Sequence, residues 1–344
     1  MTTDLPSTGS GAWTEPGAFE VAPGVHRVPL PLPNDGLRAV NVYVVQTPGG
    51  LVLVDAGWSV PESRVLLEQA LASLGASLAD VQRFLVTHVH RDHYTQAVAV
   101  RRDFGVRIGL GAGDRPNLEA AQAAERSALG VQVAGLRRSG AGGLADEIAA
   151  LIGDATIDPT DWESPDEWLE PGPIALGDRT LEAVATPGHT AGHLVFHDVD
   201  GALLFAGDHV LPTITPSIGF EPVLSPDPLG AFLHSLAVVR SRPDALLLPA
   251  HGDAAPSVHA RVDELLAFHD QRLSETAAAV GRGASTAHEV AGHLGWTRRL
   301  RHLRELDPFN AMLATFETGA HLVLLGAQGH LTRTTVDGVE HWSA

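Results

Sequence analysis

The sequence predicts an α/β protein (α+β in part of the chain): strand layers flanked by helices, a helical insertion, and a C-terminal winged-helix-like unit. Three observations predict it. Five short apolar runs each end in a small turn that carries a polar residue, helical patterns lie between them, and the chain closes on three helices and a hairpin. The expected divisions are a flexible leader at 1–18, a main domain at 19–255 with its insertion at about 112–172, and a C-terminal domain at 256–344.

The apolar runs are Gly50–Gly57, Arg83–His93, Leu181–His193, Ala202–His209 and Ala245–Gly252. Each is too short for a helix and fits a buried strand, so the polar groups at their exits can converge on one edge of a sheet layer. Helices are expected at Pro61–Ala76, Thr95–Phe104 and Pro228–Arg240. The alanine-rich stretch Asn117–Leu151 and the acidic stretch Ile157–Gly172, with Trp162 and Trp168, interrupt this grammar and form a candidate lid or substrate wall. Val258–Val280, Ser285–Leu294 (capped by Ser285 or Thr286) and Phe309–Leu325 read as three further helices, and Gly329–Trp342 as a hairpin.

Composition removes several chemistries. A chain of 344 residues with 44% hydrophobic content can bury a sizeable core and is not disordered. It has no cysteine, so any metal must be held by imidazole and carboxylate. It also has no lysine, which excludes Schiff-base chemistry and a P-loop lysine. The formal net charge of -18 disfavours nucleic acid as a partner, and the basic run Arg298–Arg304 reads as the solvated face of a short helix. No apolar run approaches a membrane span, and the polar start of the chain points to a cytoplasmic protein.

The densest chemical signal is Thr87–His93, THVHRDH. His88 and His90 are two apart at a strand end and so point the same way, while Asp92 and His93 fall where the next helix begins. Four ligand-type residues in one short turn after a strand indicate a metal site. Two divalent ions about 3.5–4 Å apart can share a water, lower its pKa and stabilise an oxyanion. No G-x-S-x-G serine elbow offers a competing nucleophile.

This motif resembles the His-x-His-x-Asp-His signature of the metallo-β-lactamase superfamily. Pro187–His193, Ala206–Asp208 and the His251 turn resemble its later motifs in order, and the Asp55 turn its first, over roughly Val21 to Asp253. The resemblance implies an αββα sandwich with the site at one edge. It implies that His88, His90 and His189 hold one metal, that Asp92, His93 and His251 hold a second, and that Asp208 bridges them. Zinc is the expected ion, two per chain, with iron or manganese as alternatives; Asp55 is expected to orient a ligand imidazole or loop.

True β-lactamases of this fold carry cysteine or serine where this chain has Asp208. The bridging aspartate instead resembles glyoxalase II, N-acyl-homoserine lactonases, ribonuclease Z and the β-lactamase-like hydrolases with a C-terminal winged helix. The last group is the most similar, through Gly207–Pro212 and Asp227–Leu236. The expected function is therefore a metal-dependent hydrolase with Asp92, Asp208 and His209 at the reacting centre and a small acyl thioester or ester as substrate. The apolar loop Pro212–Pro226 and the insertion offer its wall. The alternatives are a nucleic-acid phosphodiesterase, a lactonase, an iron-dependent redox enzyme, or a regulator with a structural metal; a homodimer is common among relatives. His209 is expected to line the substrate pocket, His193 to be structural, and Tyr94 to line the pocket or pack.

Overall fold

Two sheets packed face to face position everything that follows, and the alternation along a single strand explains the stacking. The computed structural model describes residues 12–33, 36–123, 129–153, 155, 158–297 and 299–344. The first sheet runs in chain order through β1 (Phe19–Ala22), β2 (Val25–Pro31), β3 (Ala39–Thr47), β4 (Gly50–Val54), β5 (Val81–Val86), β6 (Arg107–Gly111) and β7 (Glu167–Leu169). Along β3, Val42 and Val44 face one hydrophobic cluster while Tyr43 and Val45 face another. A strand buried on both faces needs cover on both.

On the outer face, α1 (Pro61–Ser73) and α2 (Arg91–Phe104) supply that cover through Leu67, Leu71, Val98 and Val100. They are the crossovers that make β4, β5 and β6 parallel. The inner face meets the second sheet, formed by β8 (Gly172–Ala175), β9 (Thr180–Ala185), β10 (Leu194–Asp198), β11 (Leu203–Gly207) and β12 (Leu246–Pro249). Leu181, Phe196 and Phe205 fill the space between the sheets. Only β11 and β12 pair in parallel within this sheet, joined by α6 (Pro228–Arg240).

The far face of the second sheet is closed by α6, by α7 (Val258–Gly281) and by α9 (Pro308–Ala327), through Phe232, Leu236, Val262, Leu265, Ala320 and Leu324. The layers are thus helix, sheet, sheet, helix, as expected. Helix α7 belongs to this core as well as to the C-terminal region, which adds α8 (Ala287–Gly292) and the hairpin β13 (Thr332–Val336) and β14 (Val339–Ser343). Thr286 caps α8 in a capping box with Glu289.

The insertion contains α3 (Arg115–Gln122), α4 (Gly130–Arg138) and α5 (Gly142–Ile152). Leu136, Ala145 and Ile148 pack on Met312 of α9, with Phe220 and Phe316 partly buried beside them.

Three expectations are corrected. Helix α2 begins at Arg91 rather than Thr95, so Asp92 and His93 occupy its first turn. The acidic stretch is not all insertion, since Glu167–Leu169 pairs with β6 as an edge strand and buries Leu169 between the sheets; Ile157, its first residue, lies outside the described residues. The basic run is no helical face: Trp296 and Arg301 form a bridge across a turn, a single 3-10 turn follows at Leu303–Glu305, and Arg298 lies outside the described residues.

Candidate metal centre

All the candidate ligands leave the same edge of the sandwich. Thr87–His90 follow β5, Asp208 follows β11, His251 follows β12, and His189 sits in the loop from β9 to β10. Parallel β5 and β12, with the helices that follow or precede them, aim their C-terminal ends at one crevice, the usual place for a site in such sheets.

The ligand atoms fall into three overlapping groups: His88, His90 and His189; His88, His93 and Asp208; and Asp92, His93 and His251. His90 Nδ1 lies 3.0 Å from both His88 Nε2 and His189 Nε2. Asp208 reaches two ways, with Oδ2 3.5 Å from His189 Nε2 and Oδ1 3.3 Å from His251 Nε2 and 3.8 Å from His93 Nε2. Asp92 Oδ2 stands 3.6 Å from His93 Nε2 and 3.5 Å from His251 Nε2.

The donors fit a cation and little else. His93 Nε2, His251 Nε2 and Asp208 Oδ1 are buried without a hydrogen-bond partner among the described residues. Orphaned buried polar atoms are costly, and three facing one another call for a shared positive charge. The opposite nitrogen of each ring is meanwhile engaged. His189 Nδ1 meets the Ser217 carbonyl at 2.7 Å and His251 Nδ1 the Ala39 carbonyl at 2.7 Å. A carbonyl only accepts, so Nδ1 carries the proton in both rings and the Nε2 lone pair is left for a metal.

Electrostatics agree with this. Burial and the neighbouring His93, His90 and His189 rings hold His88 well below the usual imidazole range, and burial together with His189 brings His90 to about 3. These rings are neutral donors. Burial also disfavours charge on His93, but the Asp55, Asp92 and Asp208 carboxylates outweigh it and push that ring up to about 10. The three carboxylates favour positive charge at this point.

Asp55 lies against the candidate ligand His93 and the Thr87 turn. Its backbone takes a left-handed φ of 62°, rare outside glycine, which turns the carboxylate inward. There it accepts from Thr87 N at 2.8 Å and Thr87 Oγ1 at 2.9 Å, and its other oxygen meets His93 Nδ1 at 2.9 Å.

His193 is structural in a definite way. Its Nδ1 meets Thr186 Oγ1 at 2.8 Å, and its Nε2 accepts the Asp208 amide at 3.2 Å, so it anchors the backbone that carries the Asp208 carboxylate. Gly207 makes this possible: it takes a φ of 51°, and a Cβ there would stand 2.7 Å from His193 Nε2.

His209 departs from expectation. Its ring is wholly buried against Phe232 and His193, with both nitrogens unpartnered among the described residues, because the chain turns at Asp208 and sends the next side chain inward. Tyr94 is also fully buried, donating to the Glu163 carbonyl at 2.6 Å, and so packs rather than lines a pocket.

Supporting residues were missed, among them Asn41 and Asp114. Asn41 donates to the Pro249 and Gly252 carbonyls at 2.9 and 2.8 Å and so shapes the His251 turn. Asp114 bonds both histidine-bearing loops. The sequence around it, RIGLGAGD, repeats the apolar-run-then-polar-turn grammar and was the signal available.

This geometry has known counterparts. A family model described as the Metallo-beta-lactamase superfamily matches residues 35–251. The chain belongs to that superfamily. The metallo-β-lactamase fold is matched over nearly the whole chain by a solved structure of a beta-lactamase domain protein from Burkholderia ambifaria, with 29% identity, a TM-score of 0.78, and coverage of 95% of this chain and 94% of that one. Two similar curated relatives are a hydroxyacylglutathione hydrolase of Rhizobium johnstonii, 31% identical over 49% of this chain, and an atrochrysone carboxyl ACP thioesterase of Aspergillus chevalieri, 28% identical over 46%. The aligned segments span about half the length of each, 50% and 52%. As a metallo-β-lactamase superfamily member the chain falls among metallo-hydrolases with a candidate metal site, and no described helix is long and apolar enough to cross a membrane.

Proposed function

We propose that the protein is a dinuclear zinc hydrolase that cleaves an acyl thioester or ester. The observation that carries this reading is the Asp208 carboxylate, whose two oxygens face two separate groups of imidazoles. When bound, two divalent ions would lower the pKa of a shared water toward neutrality and act as Lewis acids on the acyl carbonyl. His88, His90 and His189 would hold one, Asp92, His93 and His251 the other. The chain's own contribution is to keep those rings in one tautomer, to hold Asp208 through His193, and to fix His93 through Asp55.

Two features support an acyl substrate. The loop after Asp208 touches His189 through its Ser217 carbonyl and exposes Ile214, Val223 and Leu224, apolar surface on a loop that reaches the centre. The two relatives named as a hydroxyacylglutathione hydrolase and an ACP thioesterase act on thioesters by those names. The net charge of -18 weighs against a polyanionic substrate.

Elemental analysis of the purified chain, run beside a panel of acyl-thioester, ester, lactone, β-lactam and phosphodiester substrates, tests the reading. About two zinc ions with thioester or ester turnover is the expected result. Iron in their place, or phosphodiester cleavage alone, overturns it.

A further inference from the structure

The trihistidine group is assembled from two loops far apart in sequence, His90 and His189 being 99 positions apart. What holds these loops in register is a buried pair of carboxylates. Asp114, wholly buried at the start of α3, accepts from Val89 N at 2.9 Å, between His88 and His90. The same side chain accepts from Thr190 Oγ1 at 3.2 Å and from Gly192 N at 2.6 Å, beside His189. One turn along α3, Asn117 donates to the buried Glu221, whose carboxylate accepts Ala191 N at 3.1 Å. Consecutive amides of the His189 loop are therefore held by two different carboxylates.

The segments are pressed together as well. A Cβ on Gly111 would stand 2.0 Å from the Gly192 carbonyl, and one on Gly113 2.7 Å from that of Ala191. The other half of the centre has separate supports: Asp55 on His93, the Ala39 carbonyl on His251, and Asn41 on the His251 turn. The two halves share Asp208, which reaches His189 with one oxygen and His251 with the other, and Asp55 also reaches Thr87, which touches His88 Nδ1 at 3.0 Å, but none of these contacts runs through Asp114 or Glu221.

We propose that Asp114, assisted by Glu221, is a positioning residue that sets the metal affinity of the His88–His90–His189 group selectively, leaving the Asp92–His93–His251 group unaffected. This rests on the dinuclear reading above. A carboxylate accepts on both oxygens, whereas an amide in its place turns one acceptor into a donor aimed at a backbone N–H. Partners one shell outside a metal site are worth about 10–100-fold in metal affinity.

The test titrates zinc against a chelator on the full chain, reading bound zinc by elemental analysis, in two backgrounds. His251→Ala keeps the trihistidine group, and His189→Ala keeps the other. Asp114→Asn is expected to weaken zinc about 10–100-fold in the first background and less than about twofold in the second. Thr190→Val, a milder change that removes one hydrogen bond, is expected to show the same selectivity at smaller size and covers the case in which Asp114→Asn does not fold. Equal weakening in both backgrounds, or none in either with native circular dichroism, overturns this inference alone. A wild-type chain that retains no divalent ion overturns the metal-centre reading and this inference with it.

Discussion

His189 and His193 share one loop and differ in which way their lone pairs face. His189 directs Nε2 at Asp208 Oδ2 and His90, whereas His193 spends its free nitrogen on the Asp208 amide. Replacing His189 with alanine is expected to remove one ion and lower kcat/KM by at least about a thousandfold, while His193→Ala lowers it about 10–100-fold with metal content largely kept. Parallel metal analysis and kinetics on the two variants check this, and equal losses would reverse the two roles. Asp208→Ala is expected to abolish turnover with the fold intact by circular dichroism, since its loop lies at the sheet edge. The candidate ligands, which the structure brings together, were legible because they crowd into a short motif or follow an apolar run. Asn41 and Glu221 were not, because they act across 211 and 30 positions with no neighbouring pattern to mark them; Asp114 follows an apolar run, yet the amides it holds lie 25 and 78 positions away. His209 was misjudged for a related reason: adjacency to Asp208 in sequence says nothing about which side of the turn a side chain takes.

Among the elements, the runs leading to Asp55, His88, Asp208 and His251 were each legible as strands by their apolar character. The three-residue β7 was not, because it is too short to show a period: Leu169 is buried between the sheets while Trp168 packs on the outer face. Helix α9 carries a testable burden. Asp307 caps it by accepting Asn310 N at 3.0 Å, and Asp307→Ala is expected to cost about 1 kcal/mol by denaturant unfolding. Further along, burial against α7 raises Glu317 from the usual 4.5 to about 7 despite the nearby Arg272. A raised carboxyl favours the folded state below 4.5 and loses that advantage as pH climbs, because the unfolded chain releases its proton first. Glu317→Gln has no proton to lose, so its Tm minus that of the wild type is expected to widen from pH 5 to about 7 and then level off. His269 and His321, lowered by burial to about 3 and 4 from 6.5, add the same pH dependence to both proteins across this window and cancel in the difference. A flat difference across that range would mean Glu317 is solvated.

At the scale of the whole molecule, the candidate ligands come from both sheets: His88 to His93 from the first, His189, Asp208 and His251 from the second. An ion bound among them joins the two halves of the sandwich and binds only when both are folded. Zinc at about 1,000 times its dissociation constant is therefore expected to add roughly 4 kcal/mol per site, and chelation to lower Tm in proportion. A thermal melt that chelator leaves unchanged would show that the ions contribute nothing to holding the sheets together.

The order of the ligands along the chain also bears on biosynthesis. A ribosome adding about 5–20 residues per second releases the His88–His93 turn on the order of ten seconds before His251 emerges. During that interval the nascent chain displays a histidine-rich turn with neither Asp208 nor the second sheet to complete the candidate centre. On the proposed reading, secure loading would wait for the last strand of the second sheet, and a truncated product ending before His251 would leave the ribosome without a complete centre.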